Sequence, residues 1–178
     1  MAILTIVKEG DDILRKKSRP VEEITPRIIT LLNDMYETLT DVGGAGLAAV
    51  QVGVLRRLFI VIDEDGKLYE LINPEIVSAE GKQEEMEGCL SLPGKWGYTE
   101  RPAKVTIRGL DRNGVMQTYT GEGLLARAFC HENDHLDGII YTDKATHMLT
   151  QEELEELEAE QNREERRARR LRKHGRND

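Results

Sequence analysis

The chain has 178 residues, 39% of them hydrophobic and 33% charged, which suits one soluble globular domain with a real core and a highly charged segment. Lys and Arg number 25 against 33 Asp and Glu, a net charge of −8, so the chain as a whole is not a generic polyanion binder. Two cysteines make no disulfide framework, so no disulfide partner is expected and metal or catalytic use of a thiol is favoured.

No apolar run approaches the length of a bilayer span, and residues 1–8 lack the basic-then-apolar order of a signal peptide. A cytoplasmic protein without membrane contact is expected. Residues 2–7 suit a short strand or an anchored arm, and Asp11-Asp12 can open a single helical turn. Thr25-Pro26 supplies an N-cap followed by proline at the first helical position. Ile28, Leu31, Leu32, Met35 and Leu39 follow at helical spacing, and Gly43-Gly44 ends an amphipathic helix with no chemistry of its own. The next stretch, Gly44-Ala45-Gly46-Leu47-Ala48-Ala49-Val50-Gln51, is dense in small residues that let backbone approach a neighbour closely. It lacks the Lys or Ser/Thr of a phosphate loop and, taken alone, reads as a tight helix-to-strand turn.

The middle of the chain is rich in strand signals. Residues 57–63 contain Leu-Phe-Ile-Val-Ile, a buried strand that Asp65-Gly66 turns into residues 67–72. Asn73-Pro74 predicts a turn, residues 75–79 and 83–87 two further strands around Gly81, and Pro93-Gly94 another break. Residues 103–110 and 115–120 flank Arg112-Asn113-Gly114, a hairpin signal. The expected class is α+β, with mostly antiparallel sheets packed around a central helix.

That helix carries His131-Glu132-Asn133-Asp134-His135. Residues four apart project from one helical face, so both imidazoles can reach one metal ion, with Glu132 beside them to handle a proton. Good helix formers precede the motif from Leu124 to Phe129, and Gly138 is a natural stop. Two His leave such a site incomplete, since a catalytic centre takes three protein ligands and one open position. The longer protease pattern H-E-x-x-H-x-x-G-x-x-H fails here, because Tyr141 stands at its last His, and His147 has no supporting spacing. Cys130 points away from the shared His face and reads as a packed thiol. Cys89, in Glu87-Gly88-Cys89-Leu90-Ser91, is either a buried apolar thiol or the missing ligand.

The end of the chain differs in kind. Thr150 and Glu153 form a capping box that starts a helix reaching about Arg172. Its first half is acidic and its second basic, from Arg166 to Lys173, an order that complements the helix dipole. It reads as a solvated helix or as a basic tip that docks on RNA.

Three separated motifs now stand in order: Gly44 to Gln51, Glu87-Gly88-Cys89-Leu90-Ser91, and His131-Glu132-Asn133-Asp134-His135-Leu136. In this combination the chain resembles the bacterial peptide deformylases over roughly residues 1–147. The resemblance implies a catalytic domain at 1–147 and a charged helical extension at 148–178. It implies that Cys89, His131 and His135 hold one divalent metal, Fe(II) in the cell and Zn, Ni or Co in purified protein. Glu132 would serve as general base, with the Leu90 N–H and the Gln51 amide stabilising charge on the formyl oxygen. Gly46 would let the substrate backbone approach, Ala128 would line a pocket for the Met side chain, and Arg101 would help bind the peptide. The implied substrates are N-formylmethionyl nascent polypeptides, with the ribosome a partner for the C-terminal helix. Two positions depart from the family pattern: Val50 stands at a common Pro and Cys130 at a common Gln. The rival readings are a zinc endopeptidase and a ribosome-associated protein with a structural metal.

Overall fold

The structure is a computed structural model that describes residues 2–174, without the side chains of Lys173 and His174. The basic half of the last helix is therefore described only as far as Arg172. Helix α1 (Pro26–Val42) begins with proline and ends on Gly43 at φ 73°, a left-handed stop that a glycine adopts without strain. It buries Ile28, Leu32, Met35 and Leu39, the predicted face. Residues 2–9 form an anchored arm rather than a strand, with the Val7 N–H on the Gln51 carbonyl and the Glu9 N–H on that of Ser91. The single turn expected at Asp11-Asp12 is a 3-10 turn, Asp12–Arg15, capped by the Asp11 side chain.

A five-stranded antiparallel sheet runs β1 (Gly46–Ala48), β2 (Leu58–Ile62), β3 (Leu68–Glu80), β6 (Lys104–Leu110), β7 (Met116–Glu122). A three-stranded antiparallel sheet contains β4 (Gln83–Cys89), β5 (Leu92–Arg101) and β8 (Ala145–Met148). The expected α+β class with mostly antiparallel strands is the observed one.

Two predicted breaks are not breaks. β3 runs straight through Asn73-Pro74, where Asn73 takes φ 51° and the register against β6 slips between Ile72 and Glu75. The extra residue is absorbed as a bulge, and the Asn73 amide holds the Val21 N–H and carbonyl at 2.8 Å each. β5 likewise contains Pro93-Gly94, inside the register jump from Leu92 to Trp96 opposite β4.

Helix α2 (Gly123–Leu136) packs on the five-stranded sheet and buries Ala126, Phe129 and Leu136 with Phe59, Val61, Tyr69, Leu71, Val105 and Ile107. Its C-terminus is clamped: the Leu136 carbonyl accepts from the Ser18 N–H at 2.8 Å and from Arg57 Nη1 at 3.1 Å. Cys130 is a buried member of that core, as the sequence implies. Helix α3 (Gln151–His174) starts with the predicted box, the Glu153 N–H on Thr150 Oγ1 and the Thr150 N–H on Glu153 Oε2.

Candidate metal centre and active site

The site forms where α2 meets the end of β4. One helical turn separates His131 from His135, so both rings leave the same face, and their Nε2 atoms lie 3.2 Å apart. The bulge between Gly88 and Cys89 turns Cys89 toward them, its Sγ 3.4 Å from His135 Nε2. The three candidate ligand atoms all fall within 4.8 Å of one another. One thiol and two imidazoles converging in a buried spot are a donor set for a borderline transition-metal cation, so these residues fit the implied metal.

Behind the cluster lies a network that sequence reasoning missed. Glu87 accepts from His131 Nδ1 at 2.5 Å, Arg101 Nη2 at 2.7 Å, Arg127 Nη2 at 3.1 Å and Thr99 Oγ1 at 2.5 Å. Burial alone would raise its pKa, but the His131 and Arg101 contacts outweigh burial and hold it well below the usual carboxylate range. The Glu87 bond leaves His131 Nε2 free to act as a ligand atom and fixes the ring. Two signals were available. Glu87 lies two residues before Cys89 on one strand, and Arg127 lies one helical turn before His131.

Arg101 is the clear departure from expectation. It is 3% exposed, does not border the cavity, and pairs with Glu87 and, through Nη1 at 2.6 Å, with Asp134. A guanidinium enclosed between two carboxylates and set back from the cavity is not placed to meet a substrate there.

A cavity of about 530 Å³ opens on the cluster, bordered by Cys89, His131, Glu132, Gly46, Gln51 and Ala128 among others. Burial pushes the Glu132 carboxyl up to about 7, and its Oε2 has no hydrogen-bond partner among the described residues. A carboxyl in that state takes and returns a proton readily near neutral pH. Gly46 serves this carboxyl before any substrate: a Cβ there would stand 2.5 Å from Glu132 Oε1. Gln51 is buried, its Oε1 accepting from the Ala48 N–H at 2.9 Å and its Nε2 reaching Ser91 Oγ at 3.1 Å and Cys89 Sγ at 3.5 Å. The amide is thus held beside the Cys89, His131 and His135 group. The Leu90 N–H donates to no group among the described residues. Tyr141, at the missing third His, stacks on His131 at 6.0 Å, and His147 pairs with Glu153 at 2.9 Å, so neither competes as a ligand. Val50 is buried in the 3-10 turn Ala49–Val52 that carries Gln51.

Residues 3–151 match the family model described as polypeptide deformylase. The chain belongs to that family. It is 57% identical over 155 residues to the peptide deformylase of Caldanaerobacter subterraneus subsp. tengcongensis, covering 87% of this chain and 97% of that protein. The crystal structure of the peptide deformylase from Thermotoga maritima superposes with a TM-score of 0.79 at 33% identity, over 82% of this chain and 99% of that one. That of a Legionella pneumophila peptide deformylase gives 0.78 at 40%, over 95% and 99%. This deformylase is a metal-dependent hydrolase that removes the N-formyl group from the N-terminal formylmethionine of newly made polypeptides and releases formate. Among the described residues of the deformylase, no helix is long and apolar enough to cross a membrane.

Proposed function

We propose that Cys89, His131 and His135 hold the metal of this deformylase and that Glu132 is its general acid and base. The observation that carries the reading is the buried, unpartnered Glu132 carboxyl oxygen beside three converging ligand atoms on one cavity. When bound there, a divalent cation would polarise the formyl carbonyl and make a water more acidic. Fe(II) is the proposed cation in the cell, as the family resemblance implies, and Zn, Ni or Co fit the same donors. Glu132 takes a proton from the attacking water and passes it to the amide nitrogen as the C–N bond breaks, giving formate and a free N-terminal amine. The Leu90 N–H and the Gln51 Nε2 amide donate to the oxygen that gains charge. Ala128 lines the cavity that receives the Met side chain, and Leu124 borders it.

The test is formate release from formyl-Met-Ala-Ser by anaerobic protein loaded with Fe(II) or Ni(II), beside Glu132→Ala at equal metal content. Turnover in the parent with a loss of at least about 10³-fold in the variant is expected. An active variant would remove Glu132 from the mechanism. We further propose a cytoplasmic enzyme with its catalytic unit at 1–147, and an extension at 148–178 whose basic end docks on the ribosome near emerging chains. The unbroken run of exposed side chains from Glu158 to Arg172 supports that role.

A further inference from the structure

Large apolar side chains are unevenly distributed on this surface. Four of the exposed ones, Val42, Met86, Trp96 and Leu124, border the same cavity, and they come from α1, β4, β5 and α2. Exposed apolar groups on one rim mark a surface made to be covered. Trp96 is the largest of them, 41% exposed, and is the only tryptophan of the chain. It pairs across the hairpin with Gly88, immediately before the ligand Cys89. A Cβ on Gly88 would stand 2.7 Å from the indole carbons, so the ring rests on bare backbone there. Its seat is thus defined by the same short segment that aims the thiol. Lys8 and Lys95 border the cavity, Lys95 paired with the exposed Glu9, and the bordering carboxylates, Glu87 and Glu132, are buried.

We infer that Trp96 is a specificity-determining residue, a platform on which an apolar or aromatic side chain following the formylmethionine packs. The inference rests on the deformylase reading of the site. The Met side chain fills the inner cavity, and the next residues must cross the rim to leave it. Indole against an aromatic or branched side chain gains both buried area and ring contact, while a basic side chain meets the Lys8 charge and gains neither.

The experiment compares formyl-Met-Ala-Ser with formyl-Met-Phe-Ser, formyl-Met-Ala-Phe and formyl-Met-Lys-Ser on metal-loaded parent, Trp96→Ala and Trp96→Phe, with rates normalised to bound metal. The parent should favour one of the Phe peptides over the Ser peptide by about five- to thirtyfold in kcat/KM, mostly through KM. Trp96→Ala should bring the ratio close to one, and Trp96→Phe should keep most of it. Titrating the parent with the product Met-Phe-Ser or Met-Ala-Phe should shift the emission of the single tryptophan to shorter wavelength. Equal kcat/KM across the peptides, a preference that survives in Trp96→Ala, or an emission unchanged by saturating product would each overturn the inference. Failure of the deformylase reading would look different: no formate from any peptide, including formyl-Met-Ala-Ser, with the fluorescence titration still able to report binding.

Discussion

Gly46 shows how a single missing side chain serves the chemistry. The space a Cβ would take is filled by the Glu132 carboxylate, which is buried on α2 at the edge of the cavity. Gly46→Ala should therefore displace that carboxylate by about an ångström and lower kcat roughly a hundredfold, with metal content unchanged. An alanine variant with parental kcat would mean that the proton is carried by another group. The two proposed His ligands and the proposed base were legible in the sequence because H-E-x-x-H spacing converts directly into one helical face. Cys89 needed the resemblance, since a lone cysteine beside a glycine carries no geometry. Arg101 was misread for a related reason. Its side-chain direction depends on the register of β5 against β4, which places it with Thr99 facing Glu87, and no local signal states that register.

At the scale of elements, sequence reading succeeded where one residue type has one use. Pro26 at the start of α1, Gly43 at its end, and the Thr150–Glu153 box all sit where helix chemistry puts them. It failed at Asn73-Pro74 and Pro93-Gly94, because a pair that commonly turns a chain can also sit in a bulge when a neighbour supplies the lost hydrogen bonds. The Arg57 carbonyl takes the Asn73 N–H, and the Asn73 side chain holds the Val21 backbone. The short strands β1 and β8 were not foreseen; three or four residues hold too little periodicity to announce themselves. Among the described side chains of helix α3 only Glu153, Leu154 and Leu157 are half-buried, so its outer turns add little to the stability of the rest. Deleting residues 163–178 should leave the melting temperature within about 2 °C and the turnover of short formyl peptides unchanged, while reducing co-sedimentation with ribosomes. Undiminished co-sedimentation would rule out docking through this end.

For the molecule as a whole, the proposed metal joins two layers. Cys89 belongs to the three-stranded sheet, whereas His131 and His135 ride on the helix packed against the five-stranded sheet. A cation bound only by the folded arrangement stabilises it by mass action, about 4 kcal/mol at a thousand times its Kd. Stripping the metal with a chelator should lower the melting temperature by roughly 10 °C, and restoring one equivalent should recover it. An identical melting curve before and after stripping would show that the cluster closes without a cation.

The clamp on α2 also sets an order of events during synthesis. The first twenty residues bond to Gln51, Ser91 and Leu136, so the leading end of the chain finds its partners only as successive later segments appear. Such long-range closure is slow, and it cannot finish before the segment at 131–136 has left the ribosome. A half-made chain therefore has neither all three proposed ligands nor the proposed base. On the proposed site, each new chain gains activity only once its last third is in place.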